Sequence, residues 1–146
     1  MPDDTVRAMM TVRANVLATG RTGVRLETLD ALVAMLNAGV VPRVPEEGSV
    51  GACGDLAPLA HMAGALIGVG EVRINGSLVP AAIALKEAGI EPVRLAPKEG
   101  LALINGTHLM TASGALALCD IGRLQRAAVV AVFVKAGGNT AWARTG

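Results

Sequence analysis

Apolar side chains recur at helical spacing twice in the first forty residues. Val6, Met9, Met10, Val12, Val16 and Leu17 predict a helix over residues 5–19, with Asp3, Asp4 and Thr5 as caps and Gly20 as the stop. Leu29, Leu32, Val33 and Leu36 predict a second helix over 26–38, ended by Gly39. Pro42, Pro45, Gly48, Gly51 and Gly54 then break the pattern, since no regular element accommodates so many glycines and prolines.

Asp55 is placed to cap a third helix, 56–68, with Pro58 in its first turn, where a missing N–H costs little. Residues 71–79 read as a hairpin turning at Asn75-Gly76. A short helix near 80–88, an extended piece at 92–95 and a helical stretch at 98–104 follow. Asn105-Gly106-Thr107 forms a joint before a long helix from about 108 to 127. From Ala127 to Val134 the chain is an unbroken apolar run that does not continue that helix's amphipathic rhythm. There is no internal repeat.

Composition narrows the function classes. The AVILMFWYC set makes up 52% of the 146 residues, and glycine raises the apolar share to roughly 64%, against ~45–50% in typical soluble domains. Yet there is no Tyr, one Phe and one Trp. Disorder is excluded, because disordered chains are polar and highly charged. A net charge of +1 and so few rings argue against a nucleic-acid partner. Two cysteines do not make a disulfide scaffold. The uncharged stretches 56–70 and 100–119 are too short or too interrupted by polar residues to span a membrane. Asp3 and Asp4 stand where a signal peptide is basic, so the expected compartment is the cytoplasm. The surplus of apolar residues predicts a surface that meets a partner subunit or another part of a larger chain.

The segment with chemical character is Gly48-Ser49-Val50-Gly51-Ala52-Cys53-Gly54-Asp55-Leu56-Ala57-Pro58-Leu59-Ala60-His61. It is a glycine-rich loop entering a helix N-terminus, where free N–H groups and the dipole favour negative charge. It lacks the Lys-Ser/Thr end of a phosphate loop, and no βαβ unit surrounds it. On residue types alone, two readings stand: an anion-stabilising site, or a tight loop and cap with no chemistry.

This run resembles the signature of the histidine and aromatic amino-acid ammonia-lyases, a GSVGASGDLAPLAH-type pattern that thirteen of the fourteen positions fit. The resemblance extends upstream through Val6–Met10, Arg13-Ala14-Asn15, Gly23-Val24-Arg25 and Val44-Pro45-Glu46. Downstream it takes in Lys98-Glu99-Gly100-Leu101-Ala102-Leu103-Ile104-Asn105-Gly106-Thr107. It covers residues 5–126 and is closest in flavour to the histidine branch. It implies a mainly α fold with a small β-hairpin, as a piece of a larger helical lyase. Residues 1–126 would be the ring-forming segment and 127–146 a divergent tail, marking a truncation or a reading-frame change near Ala128.

The resemblance implies a prosthetic group, 4-methylideneimidazol-5-one (MIO), formed autocatalytically from Ala52-Cys53-Gly54. In the family the backbone N of the glycine attacks the carbonyl of the alanine, and the middle residue loses a leaving group from Cβ. A compressed turn and an attacker without Cβ suit that reaction. Cys53 departs from the family's serine; its thiol would leave as hydrogen sulfide, and the rival state is an intact Cys53, a small buried structural residue. Ala52, Cys53, Gly54 and Asn105 are the implied catalytic residues, with no metal. Asn105 can donate to a carboxylate or to the ring, or can simply cap a helix.

The implied reaction is non-hydrolytic C–N elimination from L-histidine, giving urocanate and ammonia. Phenylalanine or tyrosine lyases and aminomutases are the alternatives on the same group. A third reading is an inactive fragment or pseudoenzyme acting only by association. Asp55 is expected to support the loop, His61 to be packed and hydrogen-bonded, and Cys119 to lie in the core. Lys98-Glu99 is expected to be an exposed charge pair or a cap. His108 stands where many histidine lyases carry Gln. The family's base is a Tyr, which this sequence lacks, and its tetrameric assembly implies a homo-oligomer acting on an amino-acid substrate.

Overall fold

A computed structural model describes residues 1–49 and 55–142, with side-chain surroundings given as far as residue 135. The first stripe forms α1, Asp3–Ala18, which buries Val6, Met9, Met10 and Leu17 and leaves Val16 at the surface. It begins earlier than the sequence pattern predicts, so Asp3 and Asp4 fall in its first turn, where carboxylates complement the dipole. α2, Leu26–Asn37, buries Thr28, Leu32 and Met35. Its end is a glycine-dependent wrap. Gly39 takes φ +68°, and the Val40 N–H reaches the Met35 carbonyl at 3.0 Å, which satisfies an otherwise orphaned acceptor.

The predicted hairpin is β2, Glu71–Ile74, and β3, Ser77–Pro80, with Asn75 and Gly76 both at positive φ in the turn. A third strand not anticipated from the sequence, β1 at Val41–Pro42, pairs antiparallel with β2, setting Val41 opposite Arg73 and Pro42 opposite Val72. Two residues are too few for an alternation pattern, and proline is tolerated because β1 lies at the sheet edge. α3 spans Leu56–Leu66, α4 Ala81–Glu87, α5 Glu99–Ile104 and α6 His108–Trp142.

The chain divides into two compact units, Met1–Ser113 and Gly114–Gly146. The hydrophobic core belongs to the first, where Met9, Met10, Leu32, Met35, Leu59, Met62, Leu85 and Leu103 are fully buried. Methionines and leucines fill the space that rings fill in other cores, and flexible thioethers suit irregular gaps. In the second unit α6 continues well past residue 127, where the loss of amphipathic rhythm had suggested a change. The 127–142 stretch contains no proline, and β-branched residues lower helix propensity only modestly. Leu118, Ile121, Leu124, Val130, Val132 and Phe133 are exposed there, as expected for a helix whose apolar positions follow no single face. Among the described residues, no helix is long and apolar enough to cross a membrane.

Candidate active site

Three buried polar groups of the first unit fix the segment that leads to Asn105 and the start of α6. Asp55 is the residue before α3, yet its side chain makes no cap bond to that helix. Its Oδ2 instead accepts from the backbone N–H of Leu109 at 2.8 Å and of Met110 at 3.2 Å. These donors belong to the first turn of α6, whose N–H groups lack partners within their own helix. A carboxylate there also complements the dipole. The carboxylate therefore ties the end of the glycine-rich loop to α6.

Glu99 is the second group, and it is 1% exposed. Its Oε1 accepts from the Arg25 backbone N–H at 2.8 Å, Arg25 Nε at 3.2 Å and the Thr28 hydroxyl at 3.2 Å. Its Oε2 accepts from Arg25 Nη2 at 2.9 Å and the Ala96 N–H at 2.6 Å. The Arg25 hydrogen bonds, outweighing burial, hold this carboxyl down to about 2. Glu99 thus locks the first turn of α5 to the N-terminus of α2, and Lys98 before it adopts φ +73°, a conformation uncommon outside glycine. The sequence alone marks Lys98-Glu99 only as an exposed charge pair or a cap. The missed signal was the complementary Arg25, whose pairing distance of 74 residues no local pattern reveals.

The third group, Arg13, is 1% exposed and sits in the apolar stripe of α1, four residues before Leu17. Its Nη1 donates to the Asn105 carbonyl at 3.0 Å and lies 3.1 and 3.3 Å from Nε2 and Nδ1 of His108. Its Nε and Nη2 have no hydrogen-bond partner among the described residues. Burial lowers the Arg13 pKa; burial first, then the Arg13 charge, lowers that of His108, partly opposed by Asp55. Gly106, at φ +152°, passes so close beneath the His108 ring that a Cβ there would collide with it. Asn105 is exposed and lines a cavity of about 350 Å³ with Arg21, Thr22, Lys98, Leu101 and Ala102.

Residues 1–140 match the family model for aromatic amino acid lyase. The chain belongs to the aromatic amino acid lyase family. It is 60% identical over 126 residues to the histidine ammonia-lyase of Sorangium cellulosum (strain So ce56), covering 86% of this chain and 24% of that protein. The crystal structure of histidine ammonia-lyase from Trypanosoma cruzi superposes with a TM-score of 0.76 at 44% identity, over 82% of this chain and 23% of that one. Pantoea agglomerans phenylalanine aminomutase superposes with a TM-score of 0.77 at 41% identity, over 82% and 23%. The chain spans about a quarter of the length of the curated relatives it matches.

Of the lyase-signature residues, Ala52, Cys53 and Gly54 lie outside the described residues. Asn105 is one of the residues lining the cavity just described. His61, expected to be packed and hydrogen-bonded, is exposed, because α3 turns Leu59, Met62 and Ala63 inward and leaves position 61 on the opposite face. It lines a separate depression with Arg43, Pro45, Gly70 and Glu71. Cys119, expected in the core, is an exposed free thiol in the second unit, where α6 has no buried face among the described residues. No cluster of three or more His, Cys, Asp or Glu suited to a metal occurs among the described residues.

Proposed function

We propose that this chain is the ring-forming part of a histidine ammonia-lyase, contributing Ala52-Cys53-Gly54 and Asn105 to C–N elimination from L-histidine, with urocanate and ammonia as products. The 60% identity to the Sorangium cellulosum histidine ammonia-lyase carries this reading. The donor chemistry of the triplet fits MIO: Gly54 has no Cβ to hinder its amide, and Cys53 has a leaving group on its own Cβ. Formed there, the group would supply an electrophile for the substrate's amino group.

The chain's other residues have supporting parts in this reading. Asp55 holds the loop's exit against α6. Glu99 and Arg13 hold the two ends of α5, so that Asn105 is presented at a defined place beside Lys98 and Arg21. A preset amide needs no reorganisation when charge develops on the substrate. The exposed apolar residues of α6 support a homotetramer in the complete enzyme. The free Cys119 thiol is in keeping with a cytoplasmic setting.

A second reading is an inactive partner that works only by association. Intact mass with peptide mapping across residues 44–61, together with ammonia release from L-histidine, separates the two. Loss of one water and one hydrogen sulfide from the chain, an ultraviolet band from MIO and ammonia release support the enzyme. An unmodified mass overturns formation of the group. A modified chain that is silent until complementary segments are added supports association. Ammonia from phenylalanine or tyrosine but not histidine would move the substrate to the aromatic branch.

A further inference from the structure

We propose that Arg13 and His108 are a positioning pair for Asn105, and that protonation of His108 releases it. The proposal rests on the reading of Asn105 as a site residue. Arg13 is an expensive residue where it stands: its guanidinium is buried, and among the described residues two of its nitrogens have no hydrogen-bond partner. An apolar side chain in the stripe of α1 would stabilise the fold at least as well. What the arginine supplies among the described residues is a directed bond from Nη1 to the Asn105 carbonyl, across 92 residues of sequence, beside its contact with His108.

That bond fixes the peptide between Asn105 and Gly106. The backbone of Gly106 at φ +152° would otherwise be the freest link in the joint. His108 closes the arrangement from the other side. Its ring is packed on Gly106 and against the same Nη1. A neutral imidazole offers one nitrogen lone pair to that donor; a protonated ring offers none and adds a second positive charge. The charged groups that face His108 among the described residues are Arg13 from α1 and Asp55 from the start of α3. Asp55 is already engaged by two backbone N–H groups, so it does not turn to neutralise an imidazolium without uncapping α6.

Acidification is therefore expected to expel the His108 ring, loosen Arg13 and free Asn105. Nuclear magnetic resonance on the 146-residue chain tests this directly, with the His108 ring and the Asn105 side-chain amide followed across pH 4–8. The expected result is a His108 midpoint below the ordinary histidine range, with the Asn105 amide shifting at the same midpoint. In His108→Gln the Asn105 shift should disappear. In Arg13→Met the Asn105 amide should lie at its acid-limit position at every pH, and Arg13→Lys should restore part of the neutral-pH position. An Asn105 amide that ignores the His108 titration overturns the proposal, as does a shift that persists unchanged in His108→Gln.

Ammonia release, measured in parallel with complementary segments supplied, reads the catalytic consequence. Arg13→Met should lower kcat by about tenfold to a hundredfold, the scale of a small misplacement of a reacting group, with a lesser change in KM. The acid limb of kcat should move in His108→Gln. Absence of ammonia release from any amino acid in the wild-type assembly would sink the enzymatic reading alone. The resonance experiment would still decide the positioning pair.

Discussion

Asp55 caps a helix that is not its own: its carboxylate accepts the Leu109 N–H at 2.8 Å, 54 residues along the chain. Asp55→Ala should remove a charge-assisted cap and leave the buried Leu109 N–H and the part-buried Met110 N–H without this acceptor. A loss of about 1–2 kcal/mol in urea unfolding is expected, with Asp55→Asn, which keeps an acceptor, losing less. Equal stability of the alanine variant and the wild type would show that the bond is replaced by water.

This cap also marks a limit of sequence reading. An aspartate just before a helix is a cap signal, and α3 does begin where Asp55 predicts. The side chain's true partner depends on how α3 and α6 pack, which no local spacing encodes. Arg13 and Glu99 carry the same lesson. The apolar stripes of α1 and α2 and the Asn75-Gly76 turn were legible because each is set by neighbours in sequence. The buried charges were not, because Arg13 meets Asn105 and Glu99 meets Arg25 only after α5 docks. The motif singles out Asn105 as a candidate, whereas the bond of its carbonyl to Arg13 has no local signal.

Gly106 cannot carry a side chain without displacing the His108 ring. Gly106→Ala should therefore combine backbone strain at φ +152° with a clash, for a loss of about 2 kcal/mol or more. Gly114→Ala is the control, since nothing lies within 4 Å of a Cβ there and it is already helical. A lower thermal midpoint for the first and not the second is the expected outcome. A matching fall in both would point to a general intolerance of these positions.

The first unit's acid sensitivity should have two windows. Glu99 has a folded pKa of about 2, below the unfolded value of about 4.3. Its contribution is complete above the unfolded value and is lost as pH falls from about 5 towards 2. His108 also titrates lower when folded, so its neutral form is favoured and stability declines as pH drops below about 6.5. Urea midpoints measured from pH 8 to pH 2.5 should show both declines. Glu99→Gln should flatten the lower one and His108→Gln the upper. A single transition unaffected by either substitution would assign acid unfolding to other carboxylates.

Cys53 offers the sharpest chemical comparison, because the lyase signature has serine at that position. Both residues place a leaving group on Cβ, so both should permit loss of that group once the Gly54 amide has closed on the Ala52 carbonyl. Cys53→Ser should then lose two waters where the native chain is expected to lose one water and one hydrogen sulfide. Cys53→Ala, with nothing to expel, should keep its methyl group and show no ultraviolet band. Released sulfide can be trapped and counted against the mass change in the native chain. If the serine variant cyclises and the native chain does not, the loop is competent and the thiol is the obstacle. If neither does, the residues around the triplet, and not the leaving group, set the limit.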